Sequence, residues 1–152
     1  MNSKSKDELI PHWRVVYAVL LTIFIYNAVC YYYQAEIQIG MQEEQRVFIR
    51  TLLYVVAILL LPLTNLVRFV LVRLNQTMPG DTPPDKRYLV TVLIAQSMIE
   101  IIALFGVLMF VLGDGFNTLS IFSVMAVLGA ILHRPKLAEY ESIVSELNQN
   151  KQ

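Results

Sequence analysis

Cys30 is the one cysteine in 152 residues, so an internal disulfide is excluded, and the two histidines, His12 and His133, lie near opposite ends of the chain. No Cys/His cluster therefore has the spacing of a zinc or haem site. Charge is also scarce: Asp, Glu, Lys and Arg make up 16% of the chain, against roughly 25% in soluble domains. The formal net charge is zero and no basic run exceeds two adjacent residues. That excludes the phosphate-neutralising footprint of a nucleic-acid binder. No Gly-rich phosphate loop follows a strand, and Cys30 has no basic neighbour to activate it. An enzyme is the least favoured class, and no cofactor is expected.

What remains is apolar. Hydrophobic residues make up 56% of the chain, and the few charges gather in short stretches between long apolar runs, the pattern of a membrane protein. A span needs roughly 20 apolar residues, because a helix rises about 1.5 Å per residue and the hydrocarbon layer is about 30 Å thick. Four segments qualify, at about 13–34, 47–74, 88–112 and 116–132. They are too long and unbroken for barrel strands, so helices are expected. A cleaved signal is disfavoured for the first segment. No A-x-A pattern follows it, and it ends in Tyr31, Tyr32 and Tyr33, which read as an interfacial aromatic belt.

The fold expected is all-α, an integral membrane four-helix bundle built from two helical hairpins and forming one membrane domain over residues 1–152. The connector at 75–87 contains three prolines and a glycine, which end helices. In the tail at 134–152, Leu137, Tyr140, Val144 and Leu147 recur at helical spacing. That predicts a short amphipathic helix, which either packs on its own domain, lies along the headgroups or docks to a partner.

Orientation follows from the flanking cations, because cytoplasmic loops hold the excess of Lys and Arg. Ten of the twelve fall with the termini and the 75–87 connector, and only Arg46 and Arg50 fall on the other side. Both termini are thus expected in the cytoplasm.

One acid stands inside an apolar run. Glu100 lies twelve residues from Tyr88, or about 18 Å along the helix and close to the bilayer centre. A carboxylate there costs several kcal/mol on even lenient scales (about 2.5–3.5 for Asp at a helix centre), so it must be paired, protonated or hidden among helices. At 100° per residue, Gln96, Glu100, Ala103 and Val107 share a stripe, with Ser97 at its edge. Asn27, with Tyr26 beside it, is expected near the same depth, and Tyr54 of the second span is the preferred partner. Arg50 and Arg68 are expected to snorkel to opposite interfaces. Pro62 should bend the second span and free a carbonyl that Thr64 or Asn65 helps to satisfy. Ser120, Ser123, Ala126 and Ala130 form a small-residue face on the fourth span, which with Ala103 and Gly106 suits close helix packing.

The segment MIEIIALFGVLMFVL around the acid resembles the ion-carrying helix of the proteolipid (c-type) subunits of rotary ATPases. In both, the acid is followed by small or apolar residues, an aromatic and a glycine, here Ala103, Leu104, Phe105 and Gly106. The resemblance spans about fifteen residues and implies that Glu100 binds a proton or sodium ion. The whole chain is more similar to the uncharacterised small four-helix proteins of bacterial inner membranes, through its Ala-Leu-Phe-Gly step after the acid and the proline in His133-Arg134-Pro135.

Three functional expectations follow. The first is a non-enzymatic polytopic membrane protein, a homo-oligomer or a subunit of a larger membrane complex, with Glu100 as a protonatable centre. The second is a proton- or cation-coupled transporter or channel component in which Gln96, Ser97, Asn27, Tyr26 and Tyr54 shape a site around Glu100. The third is an assembly or regulatory partner acting through the C-terminal helix.

Overall fold

The computed structural model describes residues 8–78 and 82–149, and among them there are helices and no strands. Pro79, Gly80 and Asp81 of the expected connector, and Lys4, Lys6 and Lys151 of the cation count, lie outside the described residues. Six helices follow one another: α1 (Ile10–Tyr32), α2 (Gln34–Ile37), α3 (Glu43–Thr77), α4 (Pro84–Val111), α5 (Phe116–Leu132) and α6 (Leu137–Gln149).

Local chemistry explains their ends. Pro11 and Pro84 stand in the first turns of α1 and α4, where a missing N–H costs nothing. Glu43 and Glu44 open α3 and Asp85 opens α4, placing acid at the positive end of the helix dipole. Gly113 closes α4 at φ +93, a conformation that costs a residue with a Cβ but not glycine. Its N–H reaches the Phe110 carbonyl at 3.1 Å, Asp114 N–H reaches Met109 at 3.0 Å, and α5 starts two residues later. The helices run past the apolar segments by three or four residues into polar flanks, at the starts of α1 and α4 and at both ends of α3. Backbone hydrogen bonding need not stop where hydropathy does.

Three helices, α1, α3 and α4, are each long and apolar enough to cross a membrane; α5 has 17 residues and meets the same standard only with α6, across a bend of 43°. Large apolar side chains point outward along these helices, with Leu21, Phe24, Leu59, Phe69 and Val124 all more than half exposed. Such a belt would be an aggregation surface in water and is ordinary against lipid tails.

At the centre is α4, which packs against α1, α3, α5 and α6. Its closest neighbour is α5. A Cβ on Gly106 would stand 2.9 Å from the Phe122 Cβ, and one on Gly129 would stand 2.7 Å from Ile99 Cδ1, so glycine permits these approaches. Ala103, Ala126 and Ala130 are buried in the same interface. Ser123 is half-buried towards α1, and Ser120 stays exposed in the groove between α1 and α5.

Pro62 lies inside a continuous α3. The carbonyl it frees is that of Ile58, four residues back. The Thr64 hydroxyl does not serve that carbonyl: it donates to Leu60 O at 2.7 Å. The amphipathic α6 folds back onto the bundle, with Tyr140 and Ile143 buried and Leu137, Val144 and Leu147 packed beside them against Leu9, Tyr88 and Val92.

Candidate functional site

Glu100 faces a groove between α1 and α4, lined by Val15, Ala18, Val19, Thr22, Leu93, Gln96 and Ser97, with a volume of about 310 Å³. Both carboxylate oxygens are covered, and neither has a hydrogen-bond partner. The Tyr26 hydroxyl of α1 is the acid's nearest hydrogen-bonding neighbour, close enough to influence it as a donor, although the pair falls outside strict hydrogen-bond geometry.

Gln96, one turn away, is fully buried. Its amide nitrogen donates to Ala130 O at 3.2 Å and to His133 O at 3.3 Å, while its Oε1 is buried without a partner. Three covered oxygens without donors thus belong to two side chains that line one groove. A buried polar atom left in that state costs about 1–3 kcal/mol, so the arrangement stores a demand for a positive group or a proton. Ser97 is exposed at the groove's edge, and the Thr22 hydroxyl is already bonded to Ala18 O at 2.8 Å.

The remaining residues read from the sequence go elsewhere. Asn27 turns to the other side of α1, where its amide donates to Ser123 Oγ at 2.8 Å and to Ile23 O at 2.9 Å. Tyr54 stacks on Phe122 with ring centroids 4.6 Å apart. Neither lines the Glu100 groove.

A second polar cluster escaped the sequence reading. Arg68 does not snorkel: it is 2% exposed and sits at the end of the molecule where α5 gives way to α6. Its Nε and one terminal nitrogen hold Glu139 Oε2 of α6 at 3.0 and 2.8 Å. The guanidinium also donates to the His133 carbonyl, to Arg134 O at 2.8 Å and to the Tyr88 hydroxyl at 3.1 Å. A cation is thereby placed at the negative end of α5, against carbonyls that have no partner within that helix. Tyr88 completes the cluster by accepting from Lys136 N–H at 2.8 Å. His133 Nδ1 lies 2.9 Å from Gly129 O, which makes that nitrogen the protonated one, since a carbonyl only accepts. Burial, aided by the nearby Arg68 and Lys136 charges and opposed by the Gly129 bond, holds His133 below the usual imidazole range.

The signal for Arg68 was present in the sequence. It stands inside an apolar run and Arg73 follows five residues later. Arg73 is the exposed, interface-type arginine, lying 5.8 Å over the Phe69 ring.

At the far end, Arg50 pairs with Asp114 at 3.3 Å and Arg46 donates to Gly113 O at 3.0 Å. These bonds tie the start of α3 to the α4–α5 turn. No protein-family model, curated protein or solved structure matches the chain.

Proposed function

We propose that the chain is a small, non-enzymatic membrane protein that crosses the bilayer four times as a helical bundle and uses Glu100 to bind and release a proton or another cation. It acts as a homo-oligomer or as a subunit of a larger membrane complex in a bacterial inner membrane. The chain termini and the connector before α4 lie on the cytoplasmic face, in keeping with the ten-to-two division of Lys and Arg.

The spacing of its two inner arginines supports a full crossing by α3. Arg50 and Arg68 are separated by 18 residues of α3 with no charge between them, a rise of about 27 Å against a hydrocarbon thickness of about 30 Å. With 17 residues, α5 sits at the short end of the range of about 17–25 that can span.

The observation that carries the functional reading is that neither Glu100 oxygen closes a hydrogen bond of full geometry. A carboxyl kept only to lock helices together would spend its hydrogen bonds on a neighbouring helix. This one has the Tyr26 hydroxyl of α1 nearby but no bond of full geometry, next to a Gln96 Oε1 that is also unpaired, which favours binding over locking.

Dicyclohexylcarbodiimide, which reacts with protonated carboxyls in apolar surroundings, provides the test. In reconstituted protein, peptide mass mapping should place the adduct on Glu100, with a rate that falls as pH rises, and Glu100→Gln should abolish it while leaving a monodisperse protein. An unreactive Glu100 at every pH, or a Glu100→Gln protein that no longer assembles, would refute the reading in favour of a structural acid.

A further inference from the structure

We infer that the groove beside Glu100 is a binding site for a hydrophobic organic monocation, an ammonium group carried on an apolar body, that enters from the lipid side. This rests on the reading of Glu100 as a cation-binding carboxylate and names its ligand class.

Among the described residues, no cation of this chain stands level with the acid. No Lys, Arg or His lies between Arg14 and the end of α1, between Arg50 and Arg68 of α3, after Arg87 in α4, or anywhere in α5. Arg68 and Arg50, the cations that bound α3, are occupied by Glu139 and Asp114. The acid stands about 18 Å along α4 from Tyr88, beyond the reach of any side chain at either end. An outside cation or a proton has to neutralise it.

Size and lining decide which cation. A water molecule occupies about 30 Å³, so a monatomic ion would leave most of the groove's roughly 310 Å³ empty. The volume falls at the lower edge of small-molecule sites, about 300–1,000 Å³. The walls that Val15, Val19 and Leu93 provide would gain nothing from a metal ion but would bury an alkyl or aryl group. A metal ion stripped of water also needs a shell of oxygens, and here the free ones are Gln96 Oε1 and the two of Glu100. An organic ammonium has a diffuse charge and needs fewer.

The way in is lateral. Ala18, Leu93 and Ser97 on the groove's rim are exposed, so the mouth opens where lipid tails lie, and the covered Glu100 carboxyl turns into the groove to meet the ligand. On binding, the Glu100 carboxylic O–H gives its proton to water and the ligand's positive charge replaces it. Tyr26 of α1 is the titratable neighbour of the acid; α5 has no titratable residue, and Tyr54 of α3 is held against Phe122.

Benzyltrimethylammonium, a permanent cation with an apolar ring, is the probe, titrated calorimetrically into the protein in lipid nanodiscs. Saturable binding is expected, weakened at least tenfold by Glu100→Gln and weakened as pH falls and protons compete. Ala18→Phe and Leu93→Trp, which fill the groove from exposed positions, should each weaken it to a similar degree. The inference is overturned if the probe binds equally to the Glu100→Gln protein, if the two filling variants leave affinity unchanged, or if sodium, and not the ammonium, slows carbodiimide modification of Glu100. That last result would leave the proton- or cation-binding reading intact, whereas a Glu100 that never reacts with carbodiimide would remove both.

Discussion

The Arg68–Glu139 pair should be unequal in its two halves. Arg68 has a side chain 3% exposed and Glu139 one 24% exposed, so each responds differently to loss of its partner. Glu139→Leu strands a guanidinium that water cannot reach, leaving it the His133 and Arg134 carbonyls and the Tyr88 hydroxyl as dipoles. Removing one member of a buried pair costs about 3–5 kcal/mol, and this variant should fall in that range. Arg68→Met is milder, because Glu139 can turn to water and keep the Tyr88 hydroxyl, now 3.1 Å away. Its cost is the loss of charged donors from the end of α5, about 1.5–3 kcal/mol by the usual worth of such bonds. The double variant replaces the pair with apolar groups and should be less destabilised than the sum of the singles, with a coupling of about 0.5–3 kcal/mol. Thermal unfolding in detergent gives the ranking. Maleimide reactivity of an Ile143→Cys thiol, in a Cys30→Ala background, reports whether α6 stays docked, since Ile143 is wholly buried. Strict additivity, or Arg68→Met costing more than Glu139→Leu, would show that the cluster does not hold α6 by this pair.

Two further outcomes follow from the packing and burial of other residues. Gly129→Leu should destabilise the protein by about 1–3 kcal/mol, the usual cost of overpacking, because even a Cβ there would meet Ile99 Cδ1 at 2.7 Å; the same substitution at Gly40, with nothing within 4 Å, should be nearly silent in the same thermal assay. His133 is held neutral below its ordinary range by burial. Its folded pKa is depressed, so its contribution to stability is full above about pH 6.5, the unfolded value, and is lost as pH falls below it. Melting curves between pH 8 and 5 should therefore slope less in His133→Gln than in the parent, and parallel curves would show that the imidazole is not the titrating group.

Hydropathy made the helices legible but not their rotation. The requirement that a lipid-facing segment pair its own backbone leaves little but a helix, so the segments of α1, α3, α4 and α5 could be read within a few residues. Yet α1, α4 and α5 are apolar on nearly every face, and a helix without an amphipathic stripe does not announce which side meets its neighbours. Depth, which needs only a count of residues, put Asn27 level with Glu100. Facing needs the rotation of α1 about its axis, and it sends Asn27 to Ser123 instead. Arg68 was misread for a related reason. An arginine near a helix end can reach water or stay inside, and the choice depends on whether an acid is carried back to it. Glu139 lies 71 residues away, on an element whose docking direction is set by Tyr140 and Ile143. The acid at Glu100 is the opposite case. It could be found from the sequence because it has no local excuse, and the fold sets the Tyr26 hydroxyl beside it without closing a hydrogen bond of full geometry. A carboxyl left this weakly satisfied in mid-helix is costly to keep, and the same cost is what makes it stand out in an apolar run.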